Sequence, residues 1–327
     1  MMRTREPAGA EIEIRPYRLR LLHPLRTSRG LLQEREGFVV LARAGGLTGR
    51  GEAAIAPELG TESLAEAFEQ LHRAEPETPA ARHALELARL DLQAQREGVP
   101  LARLLSRDAP LEVPVGALLT AQTMPELARE ALRAAAEGFR TVKLKVGFDE
   151  DFARAAVVRD AVGPGVRLRL DANGAWGLAE AVRKLQEVAP LDVEMCEQPT
   201  ADLHELLAQA AVPIAADEMV ARDPEAALER AHVIVLKPML LGGLLPALRL
   251  ARRARERGLR VVVTSSLDGA IARAGAAHLA AAILALGPQP AAGLATGRLL
   301  AGDLCLDTLA PSNGVIRIPD TPGLGLP

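Results

Sequence analysis

TVKLKV (141–146), RLRLDAN (167–173), VEMCEQP (193–199), PIAADE (213–218) and VIVLKP (233–238) set the architecture of this 327-residue chain. Each is a short apolar run ending in a charged group: Lys145, Asp171, Glu197, Asp217 and Lys237. These groups are 26, 26, 20 and 20 residues apart, and helix-like sequence fills each gap. One strand and one helix per charge is the pattern of parallel βα repeats. Parallel strands point one way, so the five groups gather at one end of the sheet. In a closed barrel that end is the C-terminal face, where catalytic groups sit.

Lysine usage supports this reading. The chain has 39 basic residues, yet its only lysines are Lys143, Lys145, Lys184 and Lys237. Three of the four fall on the strands. Arginine is never deprotonated in a protein, whereas a buried lysine can lose its proton and act as a base.

Working outward, the segment before the repeats has a different rhythm. EIEIRPYRLRLL (11–22) alternates like a half-buried strand, with Pro16 marking an edge or a bulge. FVVLA (38–42) and LTGRGEAA (47–54) flank Gly45-Gly46, a hairpin signal. Between the first strand and this hairpin, residues 25–36 read as a polar, glycine-bearing loop. Residues 62–74 and 79–97 read as two amphipathic helices. Strands followed by helices make an α+β unit. LEVPVGALLT (111–120) opens the barrel, and helices are expected over 150–162, 177–188, 201–210, 243–257 and about 270–286. LRVVVTSS (259–266) is the seventh clear strand, and PAAGLAT (290–296) is a weak closing one. VIRI (315–318) is expected to return to the first domain. The expected fold is α/β: a modified (β/α)7β TIM-like barrel with an N-terminal α+β capping domain. The divisions fall at 1–108 for the cap, 109–300 for the barrel with its active site, and 301–327 for the returning segment.

Composition excludes several classes. The net charge of −3 gives no general attraction for nucleic acid. No apolar run reaches membrane-spanning length, and MMRTREPAGAEIEIR lacks the apolar core of a signal peptide. Cys196 and Cys305 suggest no disulfide framework. The expectation is a cytoplasmic enzyme with a small-molecule carboxylate substrate, no nucleic acid and no membrane partner; the sequence does not fix the oligomeric state. Cys196 turns away from the face that carries Glu197 and reads as a buried, inert thiol. His232 reads as a surface or packing residue.

Three carboxylates on adjacent strand ends repel unless a cation intervenes. All-oxygen ligation favours a hard ion, so Asp171, Glu197 and Asp217 point to Mg²⁺, with Mn²⁺ as a substitute. Lys143 and Lys145, at i and i+2, share one strand face. Two neighbouring ammonium groups disfavour each other's charge, which should lower at least one pKa. Lys145, nearer the C-terminal end, should be the one that reaches substrate. Lys237 enters from the other side. Asn173 shares the face of Asp171 and could support the metal or bind substrate; Glu218, beside Asp217, is a further supporting group. Bases flanking a divalent ion suit removal of a proton α to a carboxylate, with the charge left behind offset by the ion.

The motif set K-L-K (143–145), D-A-N (171–173), E-Q-P (197–199), D-E (217–218) and K-P-M (237–239) resembles the enolase superfamily, in its muconate-cycloisomerase-like subgroup. T-S-R-G (27–30), V-V-T-S-S-L (262–267) and A-A-G-L-A-T-G (291–297) resemble the o-succinylbenzoate synthase family within it. The resemblance covers essentially the whole chain. It implies that Asp171, Glu197 and Asp217 bind Mg²⁺, that Lys145 moves the proton, and that Lys237 stabilises the intermediate. It also implies a lid at 25–36, with Arg29 and Ser265 as substrate contacts. Mandelate-racemase-like dehydratases place a histidine on the seventh strand, where this chain has Thr264-Ser265-Ser266. Dipeptide epimerases carry Asp-x-Asp on the eighth, where it has Gly293-Leu294-Ala295. N-succinylamino acid racemases share both lysines and the metal, so residue types alone do not separate them from the synthases.

Overall fold

The computed structural model describes residues 10–27 and 30–327. Strands β1 (Glu11–Thr27), β2 (Gly30–Ala44) and β3 (Leu47–Ile55) form one antiparallel sheet in that order. Gly45 and Gly46, with φ of 60° and 77°, close the β2–β3 hairpin, a two-residue turn that requires positive φ at both places. Pro16 lies on β1, an edge strand, where a missing amide is tolerated. The expected loop over 25–36 is a correction. Pairing continues out to Thr27↔Gly30, so most of that stretch is the end of a long hairpin. Its polar composition reflects exposure of a strand ribbon. Side chains add to the ladder: Arg18 of β1 pairs with Glu36 of β2 at 2.6 Å.

Helices Leu64–Leu71 and Pro79–Glu97 pack on this sheet. A Cβ on Gly49 or Gly51 would stand 2.0 or 1.9 Å from the carbonyl oxygens of Ala88 and Ala84. The helix therefore lies directly on the β3 backbone. Gly98 ends it in the left-handed region.

The second sheet is parallel and runs β5 (Ala117–Leu119), β6 (Thr141–Lys145), β7 (Arg167–Asp171), β8 (Val193–Glu197), β9 (Ile214–Ala216), β10 (Val233–Leu236) and β11 (Arg260–Val263) in chain order. The two outer strands meet through residues 292–293: Ala292 bridges Val115 and Gly293 bridges Thr264. The weak eighth strand is thus real but minimal. The expected single strand over 111–120 divides instead. Residues 112–114 form β4 (Glu112–Pro114), and only β5 enters the barrel. Gly116, between them, is in close contact with Thr141.

Helices Met124–Ala136, Asp151–Val162, Leu178–Val188, Leu244–Glu256 and Ala270–Leu284 occupy the gaps between strands. The helix expected over 201–210 shrinks to His204–Leu207. Pro213 disfavours a helical Val212, and Asp202 Oδ1 accepts from His204 N at 3.0 Å, starting the turn late. Helix Ala270–Leu284 is buried along nearly its whole length, consistent with its all-round apolar sequence. Inside the barrel, Met195, Ala215, Val233, Val235 and Val262 form a small apolar plug. Cys196 faces the other way, into the main core. Among the described residues, no helix is long and apolar enough to cross a membrane.

The return of the tail is also corrected in detail. Residues 315–317 form β12 (Val315–Arg317), which pairs with β4 at the barrel entrance, not with the cap sheet. The residues after it do reach the cap. Leu324 N donates to Asp91 Oδ1 at 2.8 Å, and Arg50 Nη1 donates to Leu326 O at 2.9 Å.

Candidate active site

Strand alternation carries Lys143, Lys145, Asp171 and Glu197 to one face, the barrel interior. Lys145 is opposite Asp171 in the β6–β7 ladder, and Asp171 is opposite Glu197 in the next. Asp217 follows β9 directly, and Lys237 follows β10. Along the rim the order is lysine, aspartate, glutamate, aspartate, lysine.

The side chains meet as this order demands. Asp171 Oδ2 accepts from Lys143 Nζ at 2.8 Å and from Lys145 Nζ at 2.6 Å. Lys143 Nζ also donates to Glu197 Oε1 at 2.7 Å. Lys237 Nζ donates to Asp217 Oδ2 at 2.5 Å. Asn173, at φ 47°, accepts from Lys145 Nζ on Oδ1 at 2.6 Å and donates from Nδ2 to Glu218 Oε1 at 3.0 Å. Asn173 and Glu218 therefore form a chain that ends on Lys145. Gln198 escaped sequence reading. Its Oε1 accepts from the amides of Asp217 and Met219 at 3.0 and 3.3 Å, which fixes the turn presenting Asp217.

Burial and charge compete at every group. Burial disfavours the Lys143 ammonium, but the charges of Asp171, Glu197 and Asp217 outweigh it and raise the pKa. At Lys143 three carboxylates thus outweigh one neighbouring cation. Lys237 is raised in the same way, with Asp217 the leading charge against its burial. Asp171 is buried too, yet Lys143 and Lys145 hold it below the usual carboxylate range. Glu197 is pushed up to about 7, first by burial and then by the charge of Asp171.

The carboxylate row tests the fit of a metal. Its donors are all oxygens, and hard cations suit such a set. Among the described residues no three acidic, histidine or cysteine side chains converge on one point, because lysine ammonium groups stand between the carboxylates. The donor set fits a divalent cation; the side chains are arranged as a lysine-bridged row.

A cavity of about 150 Å³ opens over this row. The cap contributes Leu32, Arg35, Glu58 and Leu59 to its wall. Arg35 was missed because it falls in the stretch read as a loop. It is buried, and it donates to Ile55 O, Glu58 Oε1 and Ser266 O at 3.0, 2.9 and 3.2 Å. Arg169 was missed as well. A register shift in the β7–β8 ladder sets Glu194 within 2.6 Å of its Nε, and its Nη1 reaches Ala291 O at 2.7 Å. Ser265 lines the cavity, with its hydroxyl 2.7 Å from that of Thr296. Arg29 lies outside the described residues. His232 Nδ1 accepts from Ile214 N at 3.1 Å, a backbone-supporting contact.

Comparison with known proteins identifies the family. The family described as enolase C-terminal domain-like matches residues 126–327. The o-succinylbenzoate synthase of Thermobifida fusca (strain YX) is 43% identical over 218 residues, covering 63% of this chain and 66% of that protein, just under two thirds of its length. A hydrophobic dipeptide epimerase of Roseobacter litoralis is 30% identical over 86% of this chain and 93% of its own. Among solved structures, the dipeptide epimerase of Enterococcus faecalis V583, complexed with Mg and the dipeptide L-Leu-L-Tyr, superposes with a TM-score of 0.87. It is 27% identical and covers 96% of this chain and 98% of its own. With the family match spanning well over half of the sequence and a relative aligned along most of it, this chain belongs to the enolase superfamily.

Proposed function

We propose that this enzyme is an o-succinylbenzoate synthase, removing water from 2-succinyl-6-hydroxy-2,4-cyclohexadiene-1-carboxylate to give 2-succinylbenzoate in menaquinone biosynthesis. The observation that carries the reading is the eighth-strand wall. Gly293 and Ala295 line the cavity there and put no charge on it. A dipeptide ammonium would find no carboxylate on that side. The synthase relative at 43% identity supports the same choice.

Asp171, Glu197 and Asp217 would hold Mg²⁺. The bound ion would supply positive charge to the substrate carboxylate and ease loss of its α-proton. Lys145 takes that proton on Nζ. Its side chain is 32% exposed, against 21% for Lys143 and 12% for Lys237, so it stands most open to the cavity. Asn173 Oδ1 orients it, with Glu218 behind. The C–H electron pair moves into the ring, and the C–O bond to the hydroxyl breaks. Lys145 returns the proton to the departing oxygen, so water leaves and the ring becomes aromatic. Lys237, at the far end of the row, offsets negative charge on the substrate. Lys143 bridges Asp171 and Glu197 and holds them in place.

A second reading is an N-succinylamino acid racemase, favoured by lysines at both ends of the carboxylate row. Turnover of the cyclohexadiene with Mg²⁺, followed by ultraviolet absorbance, separates the two when run beside α-proton exchange of N-succinylamino acids in D₂O. Dehydration with little exchange is the expected result. Exchange without dehydration would sink the synthase reading and leave a racemase.

A further inference from the structure

Glu52 is a wholly buried carboxylate that the chemistry above does not use. It lies on β3, yet two of its partners are on the barrel. Oε1 accepts from Gly269 N at 2.6 Å and from the Tyr17 hydroxyl at 2.8 Å; Oε2 accepts from Ala272 N at 2.8 Å. These amides open helix Ala270–Leu284, and first-turn amides have no acceptor within their own helix. A carboxylate also suits the positive end of the helix dipole. Asp303 Oδ1 takes one of the two intervening amides, Ala270 N, at 2.7 Å.

The residues just upstream line the active-site cavity: Thr264, Ser265, Ser266 and Leu267. Leu267 has φ of 63°, a left-handed conformation that a non-glycine residue keeps only when its surroundings hold it. Cap residues bracket it. Arg35 Nη2 donates to Ser266 O on one side, and Glu52 accepts from Gly269 N on the other.

We infer that Glu52 is a positioning residue for substrate binding: it holds the start of helix Ala270–Leu284 and so fixes the Ser265–Leu267 wall of the cavity. A purely space-filling role fits poorly. Among the described residues no cation pairs directly with Glu52, and an apolar residue would fill the same space without the cost of burying a carboxylate. The groups around it are Tyr17 from β1 and Asp268 from the turn, with His83 of helix Pro79–Glu97 donating to its backbone oxygen at 2.9 Å. What its oxygens gain here is the pair of barrel amides.

Two variants test this, with a third as control. Glu52→Gln keeps the shape but turns an amide group toward a helix N–H. Gly269→Ala is the milder change: at φ −72° its backbone suits alanine, and the atoms its Cβ would displace, Leu304 Cδ1 at 2.6 Å and Glu52 Oε1 at 2.9 Å, are side-chain ends. Tyr17→Phe removes a donor to Glu52 and leaves both barrel amides in place. Hydrogen exchange, which needs no substrate, should speed up about tenfold or more at Leu267, Gly269 and Ala272 in the first two variants, and not in β6–β8. For whichever reaction the wild type catalyses, both should raise KM about tenfold while kcat stays within about threefold. Tyr17→Phe should leave KM within about twofold. If Glu52→Gln does not fold, Gly269→Ala decides alone. Unchanged exchange at those three amides, or a fall in kcat at constant KM, overturns the inference. A wild type inert in both reactions overturns the proposed function instead, and exchange then decides the role of Glu52.

Discussion

Lys145 bonds to Asp171 and Asn173 and is the most open lysine of the row, which makes it the sharpest single test of the chemistry. Lys145→Arg keeps a cation beside Asp171 but supplies no base, since arginine does not deprotonate. We expect kcat to fall by about 10³-fold or more, with folding and Mg²⁺ affinity retained. Near-normal turnover would remove Lys145 from the reaction. Asp217→Asn takes one charge from the row and gives Lys237 a neutral amide in place of its 2.5 Å carboxylate partner. The Mg²⁺ concentration for half-maximal activity should rise at least roughly tenfold; an unchanged requirement would exclude Asp217 as a ligand. The five rim charges were legible because strand ends repeat along the chain. Arg35 and Arg169 were not. Arg35 lies on a ribbon whose polarity imitates a loop, and the placing of Arg169 depends on a register shift that leaves no mark in composition.

At the scale of elements, close backbone contact in the cap is the feature most exposed to substitution. Gly51→Ala would press a methyl group 1.9 Å from Ala84 O and push β3 off helix Pro79–Glu97. A loss of about 1–3 kcal/mol is expected by urea unfolding. A change under about 0.5 kcal/mol would mean that strand and helix separate freely. The same contact shows why element types were easier to read than their ends. Helix Pro79–Glu97 has proline at its start and glycine after its end, and its bounds match the expected 79–97. The segment after β8 has apolar residues at helical spacing over 201–210, but Pro213 and the Asp202 turn leave only His204–Leu207 helical. LEVPVGALLT reads as one strand because the partners of its two halves, β12 and β6, are far away in the chain.

Across the whole molecule, His278 joins three parts. Its Nδ1 accepts from Ala102 N at 2.9 Å, and its Nε2 is 3.2 Å from Leu324 O, which fixes a neutral ring with the proton on Nε2. Burial lowers its pKa from 6.5 to about 4. A lowered folded-state value means stability that is present above 6.5 and lost as pH falls toward 4. Glu52 and Glu86 run the other way. Burial raises both to about 7, so their contribution is full below 4.5 and fades as pH rises to 7. The wild-type curve alone therefore blends opposite signs, and the histidine is read by difference. The stability gap between wild type and His278→Gln should shrink by on the order of 3 kcal/mol between pH 7 and pH 4 in urea titrations. A gap that stays constant would mean that the ring is not held neutral.

The two-residue eighth strand has a consequence for handling the protein. A barrel escapes sticky edges only while it stays shut. Here closure rests on Ala292 and Gly293, with Gly314 O accepting from Val115 N at 2.9 Å and β12 alongside. If that line parts, β5 and β11 become open borders bearing Ala117-Leu118-Leu119 and Val261-Val262-Val263, both well suited to pairing with another chain. Clumping on storage should therefore set in before the charged rim is lost, and it should follow the integrity of residues 314–317 more closely than that of the cap.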